Sequence, residues 1–180
     1  KNRWGMGTAY RLLGLAYLAG GQPAQAQTYL FKSLEIFGEF AIGWDIARSL
    51  AYLGDAAMLA GDFAEASNFY RDALRSSLDA QSIPIALDAM MGLGELQAQT
   101  GKLENALLLC CYILNHPSSE EETKSRAGEL SSALGAKLTS QQVTEARTVV
   151  GEGGERRGRA EGAAAWLRAT CTWTPVPEAP

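Results

Sequence analysis

One interval organises this chain. Leu13-Gly14 returns as Leu53-Gly54 and again as Leu93-Gly94, each time 40 residues on. Gly21, Gly61 and Gly101 keep the same step, as do Ala26, Ala66, Ala106 and Ala146, and Leu34, Leu74 and Leu114. Weaker apolar columns run beside them: Pro23, Phe63, Leu103 and Val143, and Tyr29, Phe69, Leu109 and Val149. So many independent columns on one period identify a tandem repeat, and a repeat of this size is a supersecondary unit that buries its apolar face only by stacking on its neighbours.

Each unit reads as two helices. In the second unit Leu50, Leu53, Ala57 and Ala60 fall at helical spacing, and Gly61 ends the pattern. Asp62 with Glu65 three residues later has the form of a capping box, and Phe63, Ala66, Phe69, Tyr70, Ala73 and Leu74 make the apolar stripe of the helix it opens. Pro23 suits a first helical turn, and His116-Pro117 ends the second helix of the third unit. Gly14, Gly54 and Gly94 fall inside helices, where glycine costs about 1 kcal/mol against alanine. That cost implies close approach of a partner helix, and Gly21, Gly61 and Gly101 supply left-handed turns. The expectation is an all-α chain of antiparallel helix pairs.

Here the residues resemble a family. Leu-Gly, then Gly seven later, Ala five later and a large residue four later is similar to the tetratricopeptide repeat. The second unit carries it best, through Leu50, Leu53, Gly54, Ala57, Gly61, Phe63, Ala66, Tyr70 and Ala73. The first unit departs at Tyr17, Pro23 and Ser33, and the third at Gln97, Cys110 and Ile113. The resemblance implies a right-handed superhelical solenoid over residues 1–150, in units of about 4–42, 43–82 and 83–117 with a degenerate capping pair at 118–150. The 40-residue period, against the usual ~34, resembles the maltose-activator-like type at the C-terminus of bacterial signal-transduction ATPases and transcriptional regulators. The run from His116-Pro117-Ser118-Ser119 through Leu138 to Ala146 resembles the end of such multidomain regulators.

In the fourth unit a serine cap at Ser118-Ser119, followed by Glu120, Glu121 and Glu122, is expected to open a helix to about Ala136. Thr139 to Gln142 opens the last one. Leu134-Gly135 comes one residue late for the Leu-Gly column and reads as a stop. Residues 151–180 lose the periodicity and become glycine- and proline-rich. They read as a low-complexity, disordered tail, with folding on a partner as the other reading.

Composition narrows the function. Apolar residues are 47% and charged residues 20%, with a formal charge of −4, so the chain is globular and lacks a nucleic-acid footprint. The longest apolar run, Ala106 to Leu114, is too short for a bilayer. Cys110, Cys111 and Cys171 make no disulfide framework, which points to the cytoplasm. The chain opens on Lys1 without a charged-then-apolar leader, so we expect no signal peptide and a longer parent. A single histidine, His116, weakens metal and Ser-His-Asp readings, and it reads as a helix C-terminal residue bonding the last carbonyls. Gly101-Lys102-Leu103 is no phosphate loop. No cofactor, metal, nucleic acid or membrane is expected.

The expected function is therefore a non-enzymatic scaffold that binds a protein segment or small-molecule effector, coupled to an ATPase module of the same parent. The alternative is a free-standing adaptor that binds a peptide or self-associates near Trp4. A hydrolase reading has only Asp55, Asp88 and Glu95 as candidates. The family's concave columns, carried onto this chain, give Thr8, Arg11, Leu12 and Leu15 in the first unit, Arg48, Tyr52, Asp55 and Met58 in the second, and Asp88, Met91, Glu95 and Gln99 in the third. Thr8, Arg48 and Asp88 then form one row, and Leu15, Asp55 and Glu95 another. Two readings stay open for Arg11 and Arg48: pairing a carboxylate or phosphate of a ligand, or pairing internally with Asp88 or Asp55.

Overall fold

The computed structural model describes residues 2–154. It holds eight helices and no strand among them: α1 (Arg3–Ala19), α2 (Pro23–Glu39), α3 (Gly43–Ala60), α4 (Phe63–Asp79), α5 (Ile83–Gln99), α6 (Leu103–Asn115), α7 (Glu121–Gly135) and α8 (Ser140–Gly154). Consecutive helices pack from α1 through α7, and α1, α3, α5 and α7 also touch in sequence, which is the stacking of an all-α tetratricopeptide-like solenoid. The expected tail lies outside the described residues from 155 on. Helix α8 runs to Gly154, past the residue-150 limit that loss of periodicity had set.

The turns show why the period is 40. Gly21, Ala41, Gly61, Gln81 and Gly101 all have positive φ, at 68°, 52°, 80°, 55° and 81°. A left-handed residue thus recurs every twentieth position, twice per unit. At each, the residue that follows donates its N–H back across the helix end, as Gln22 to Tyr17, Ile42 to Phe37, Asp62 to Ala57, Ser82 to Ser77 and Lys102 to Gln97. This satisfies carbonyls that the helix leaves open. The sequence columns caught the three glycines and missed Ala41 and Gln81, which adopt the same strained conformation with a side chain.

Packing between units follows the small residues, with one correction. A Cβ added at Gly14 would lie 2.6 Å from Leu30, and one at Gly54 2.5 Å from the Tyr70 ring, so both glycines admit a neighbouring helix. At Gly94 the nearest atom is 3.6 Å away, ordinary contact, so that glycine is not forced. The third unit's tight position is Gly92, where a Cβ would drive into the same Tyr70 ring. Tyr70, 1% exposed, is therefore wedged between α3 and α5. Around it lies the main core, with Leu87, Met90, Met91, Leu107, Leu109 and Ile113 buried, while Ala26, Leu30, Leu53 and Ala56 form a smaller cluster between α2 and α3.

Local signals were partly reassigned. Asp62 caps α4 by accepting from the Glu65 N–H at 3.0 Å, but the Glu65 carboxylate accepts from Gln27 of the first unit instead of closing the box. The box does close at α8, where Thr139 and Gln142 bond each other's backbone N–H. The serine cap expected for α7 is absent: its N-cap is Glu120, without a side-chain bond. Ser119 is buried and donates to the Ile113 carbonyl at 2.6 Å, closing the end of α6. His116 bonds no carbonyl through its ring; Nδ1 accepts from the Ser118 N–H. The last pair also differs from a simple hairpin, because α8 packs chiefly on α6. Ala146 and Val150 are buried there, while Val149 points outward at 50% exposure.

Candidate functional site

The first helices of the four units meet around a cavity of about 500 Å³, within the usual range for ligand pockets. Leu15, Leu18 and Ala19 come from α1, Arg48, Tyr52, Asp55 and Leu59 from α3, and Pro84, Ile85 and Asp88 from α5. Glu120, Glu122, Thr123 and Arg126 close it from the start of α7.

Five of the predicted residues reach this cavity: Leu15, Arg48, Tyr52, Asp55 and Asp88. Glu95 stands behind it through Arg126. The others do not line it. Arg11 is 9% exposed and pairs with the fully buried Asp45, to which Trp4 Nε1 also donates at 3.1 Å. Its guanidinium lies 5.1 Å from the centre of the Phe37 ring. Arg11 thus pairs internally, with a partner that was in neither open reading. Met91 is fully buried in the core, and Met58 packs against that core. Leu12 and Gln99 are exposed elsewhere, and Thr8 is half-buried with no partner for its hydroxyl among the described residues.

Two residues that sequence reasoning passed over organise the site. Arg126 donates from Nη1 to Asp88 at 3.1 Å, and from Nη2 and Nε to the two Glu95 oxygens at 2.9 and 3.2 Å. This bidentate fork ties α7 to α5. A signal for it existed. Thr8, Arg48, Asp88 and Arg126 are each the sixth residue of their helices. The early stop of α6 at His116-Pro117 starts α7 two residues before a strict 40-residue step, which moves the column from Gly128 to Arg126. The second is Tyr70, whose hydroxyl donates to Asp55 at 2.7 Å. It was read only as part of an apolar stripe; its ring does that work, and its oxygen reaches through to the cavity.

The electrostatics follow from burial. Asp55 is pushed up to about 6, first by burial, with Asp88 and Glu95 adding to the rise and the Tyr70 bond and Arg126 opposing it. Asp88 is raised by burial against the opposing pull of Arg126 and Arg48. Burial also raises the Tyr52 and Tyr70 hydroxyls, Tyr70 further through the Asp55 charge. Burial alone would lower Arg126, but its bond to Glu95 and the nearby carboxylates raise it. Arg48 makes no ion pair within 4 Å among the described residues. Cys110 is buried and its thiol is pushed up to about 12, so it stays protonated and unreactive. No group of three or more His, Cys, Asp or Glu side chains has metal-holding geometry among the described residues.

Two family models described as tetratricopeptide repeat match this chain, one over residues 5–79 and one over 52–114. Together the two matches span residues 5–114, where the chain is similar to tetratricopeptide-repeat proteins. The matches cover helices α1 to α6 and so carry most of the cavity wall, while α7, which brings Arg126, lies beyond them. Comparison with curated proteins and with solved structures gives no match. Tetratricopeptide repeats are in general protein-interaction scaffolds. No helix of the described residues is long and apolar enough to cross a membrane.

Proposed function

We propose that this chain is a non-catalytic binding scaffold of the cytoplasm whose cavity between the first helices takes a partner segment or small effector. The observation that carries this reading is the cavity itself, walled by one helix from each of four units, so that occupancy bears on how the units sit together. Asp55, Asp88 and Glu95, the candidate acids of the hydrolase reading, are held by Tyr70 and Arg126, which supports the non-catalytic reading. In its finer form the proposal places the repeats as the sensor region of a larger bacterial signalling ATPase or transcriptional regulator, supported by the 40-residue period. A peptide-display and effector screen against the wild type and an Arg48→Glu/Tyr52→Ala variant tests the first part. Ligands lost in the variant are expected; a screen whose ligands all survive it refutes the cavity as the site. An upstream reading frame without an ATPase motif refutes the finer form.

A second reading has its own support. Met6 and Leu13 are exposed on α1, at 45% and 43%, with Ala9 and Ala16 on the same stripe. Their counterparts 40 residues on include Leu53 and Ala56, both at 0%, packed against Ala26 and Leu30 of the preceding helix. The stripe is thus a stacking face without a preceding helix pair among the described residues, and it supports self-association or a further repeat. Light scattering on the wild type and Leu13→Glu tests it: concentration-dependent dimers that the variant abolishes are expected, and a strict monomer refutes self-association.

A further inference from the structure

We infer that the cavity selects a partner segment presenting a lysine or arginine side chain beside apolar residues, an inference that rests on the binding reading above. The sequence had left open the opposite polarity, with Arg11 and Arg48 receiving a carboxylate or phosphate. The structure removes most of that capacity. Arg11 is spent on Asp45, and the Arg126 fork is occupied by Asp88 and Glu95. Among the described residues Arg48 is the cation of the wall without an ion pair within 4 Å, though its charge pulls on Asp88, and it stands against the carboxylates of Asp55, Glu120 and Glu122. Glu120 and Glu122 are exposed at the cavity's α7 side, while Asp55 is half-buried.

An anion entering here meets acids in excess, and a cation meets an excess of its counter-charge in a partly desolvated setting where such pairing is stronger than in water. The remaining wall is apolar: Leu15, Leu18, Leu59, Pro84 and Ile85. A cavity of about 500 Å³ exceeds what one ammonium or guanidinium group fills, so the wall has room for the neighbours of that side chain. A peptide satisfies both features at once, whereas a free amine uses only the acids.

The preference should also follow pH. Asp55 is pushed up to about 6, and the groups that face it are Tyr70 from α4, Asp88 and Glu95 from α5, Arg126 from α7 and Tyr52 on its own helix. Below that pH the Asp55 carboxylate is neutralised and the cavity loses part of its pull on a cation.

The test is an amide-NMR titration of the whole chain with three capped tripeptides, Leu-Lys-Leu, Leu-Gln-Leu and Leu-Glu-Leu, and with free butylamine. At pH 7.5 Leu-Lys-Leu is expected to shift the amides of Tyr52, Asp55, Asp88 and Arg126 and to bind about tenfold tighter than Leu-Glu-Leu, with Leu-Gln-Leu between them. Asp55→Asn, a near-isosteric change, should weaken Leu-Lys-Leu about fivefold, and lowering the wild type to pH 5 should act in the same direction. Equal or tighter binding of Leu-Glu-Leu overturns the charge preference, and butylamine binding as tightly as Leu-Lys-Leu overturns the peptide. Shifts confined to other surfaces, or no binding by any probe, overturn the inference as a whole. The broader scaffold reading is judged separately, by whether the displayed-peptide screen yields ligands that need Arg48 and Tyr52.

Discussion

Among the described glycines, Gly92 leaves a neighbour the least room, since an added Cβ would lie 2.2 Å from the Tyr70 ring of the preceding unit, and a single methyl group there should be costly. In an ordinary helix Gly92→Ala would gain about 1 kcal/mol of helix propensity. Here the new Cβ falls inside the van der Waals space of the Tyr70 ring. The ring cannot swing aside, because Gly54 backs it on α3 and its hydroxyl is held by Asp55. Overpacking costs about 1–3 kcal/mol, and losing a hydrogen bond to a charged group costs about 1.5–3 kcal/mol. Setting the propensity gain against these terms leaves a net loss of about 1.5–5 kcal/mol, a fall in Tm of roughly 3–20 °C for a chain of this size. Gly94→Ala, two residues on, meets nothing nearer than 3.6 Å and should gain about 0.5–1 kcal/mol. Urea and thermal unfolding followed by circular dichroism measure both. In a Tyr70→Ala background Gly92→Ala should change sign and become stabilising. A Gly92→Ala variant as stable as the wild type, or one less stable only when Tyr70 is absent, would refute the account of Tyr70 as a wedge.

Three further outcomes are expected. Ala41→Gly and Gln81→Gly relieve left-handed residues at φ 52° and 55° and should each stabilise by about 0.5–1 kcal/mol, read as a higher urea midpoint at unchanged slope. Arg11→Met leaves the fully buried Asp45 without its cation and should cost about 3–5 kcal/mol, with Arg11→Met/Asp45→Asn recovering much of that loss. Asp55 is raised in the folded state from 3.8 to about 6, so the native protein binds protons more readily than the unfolded chain between those values, and this group's contribution to stability falls as pH rises through that window. Asp55→Asn should therefore stabilise at pH 7.5 and give little gain at pH 4, and a gain independent of pH would contradict the buried-carboxylate assignment.

The repeat was legible because its residues have backbone and packing reasons that recur. Gly21, Gly61 and Gly101 sit at positive φ, and Ala26, Ala66 and Ala106 are wholly buried. Gly94 shows the limit: it shares a column with Gly14 and Gly54, yet its neighbour is Leu109, which leaves room, while Tyr70 reaches past Gly54 to Gly92. A column reports what its members share, and side-chain reach varies from unit to unit. The site was half legible for the same reason. Arg48, Tyr52, Asp55 and Asp88 follow from helix register, whereas Arg11 turns inward because Asp45, outside every column considered, offers a buried counter-charge. Arg126 needed one more step, which is to count from each helix's own start after Pro117 has shortened α6.

Tyr70 has a consequence beyond its packing. One side chain rests on the first helices of two successive units and ends on a carboxylate of the cavity wall. A ligand that bonds Asp55 shares its carboxylate with that hydroxyl, and whatever bends the array at the second and third units moves that carboxylate. Under the proposed function, ligand occupancy and the curvature of the stack would then be coupled through this one side chain. A pull applied at the chain ends and a ligand placed in the cavity should each be felt by the other.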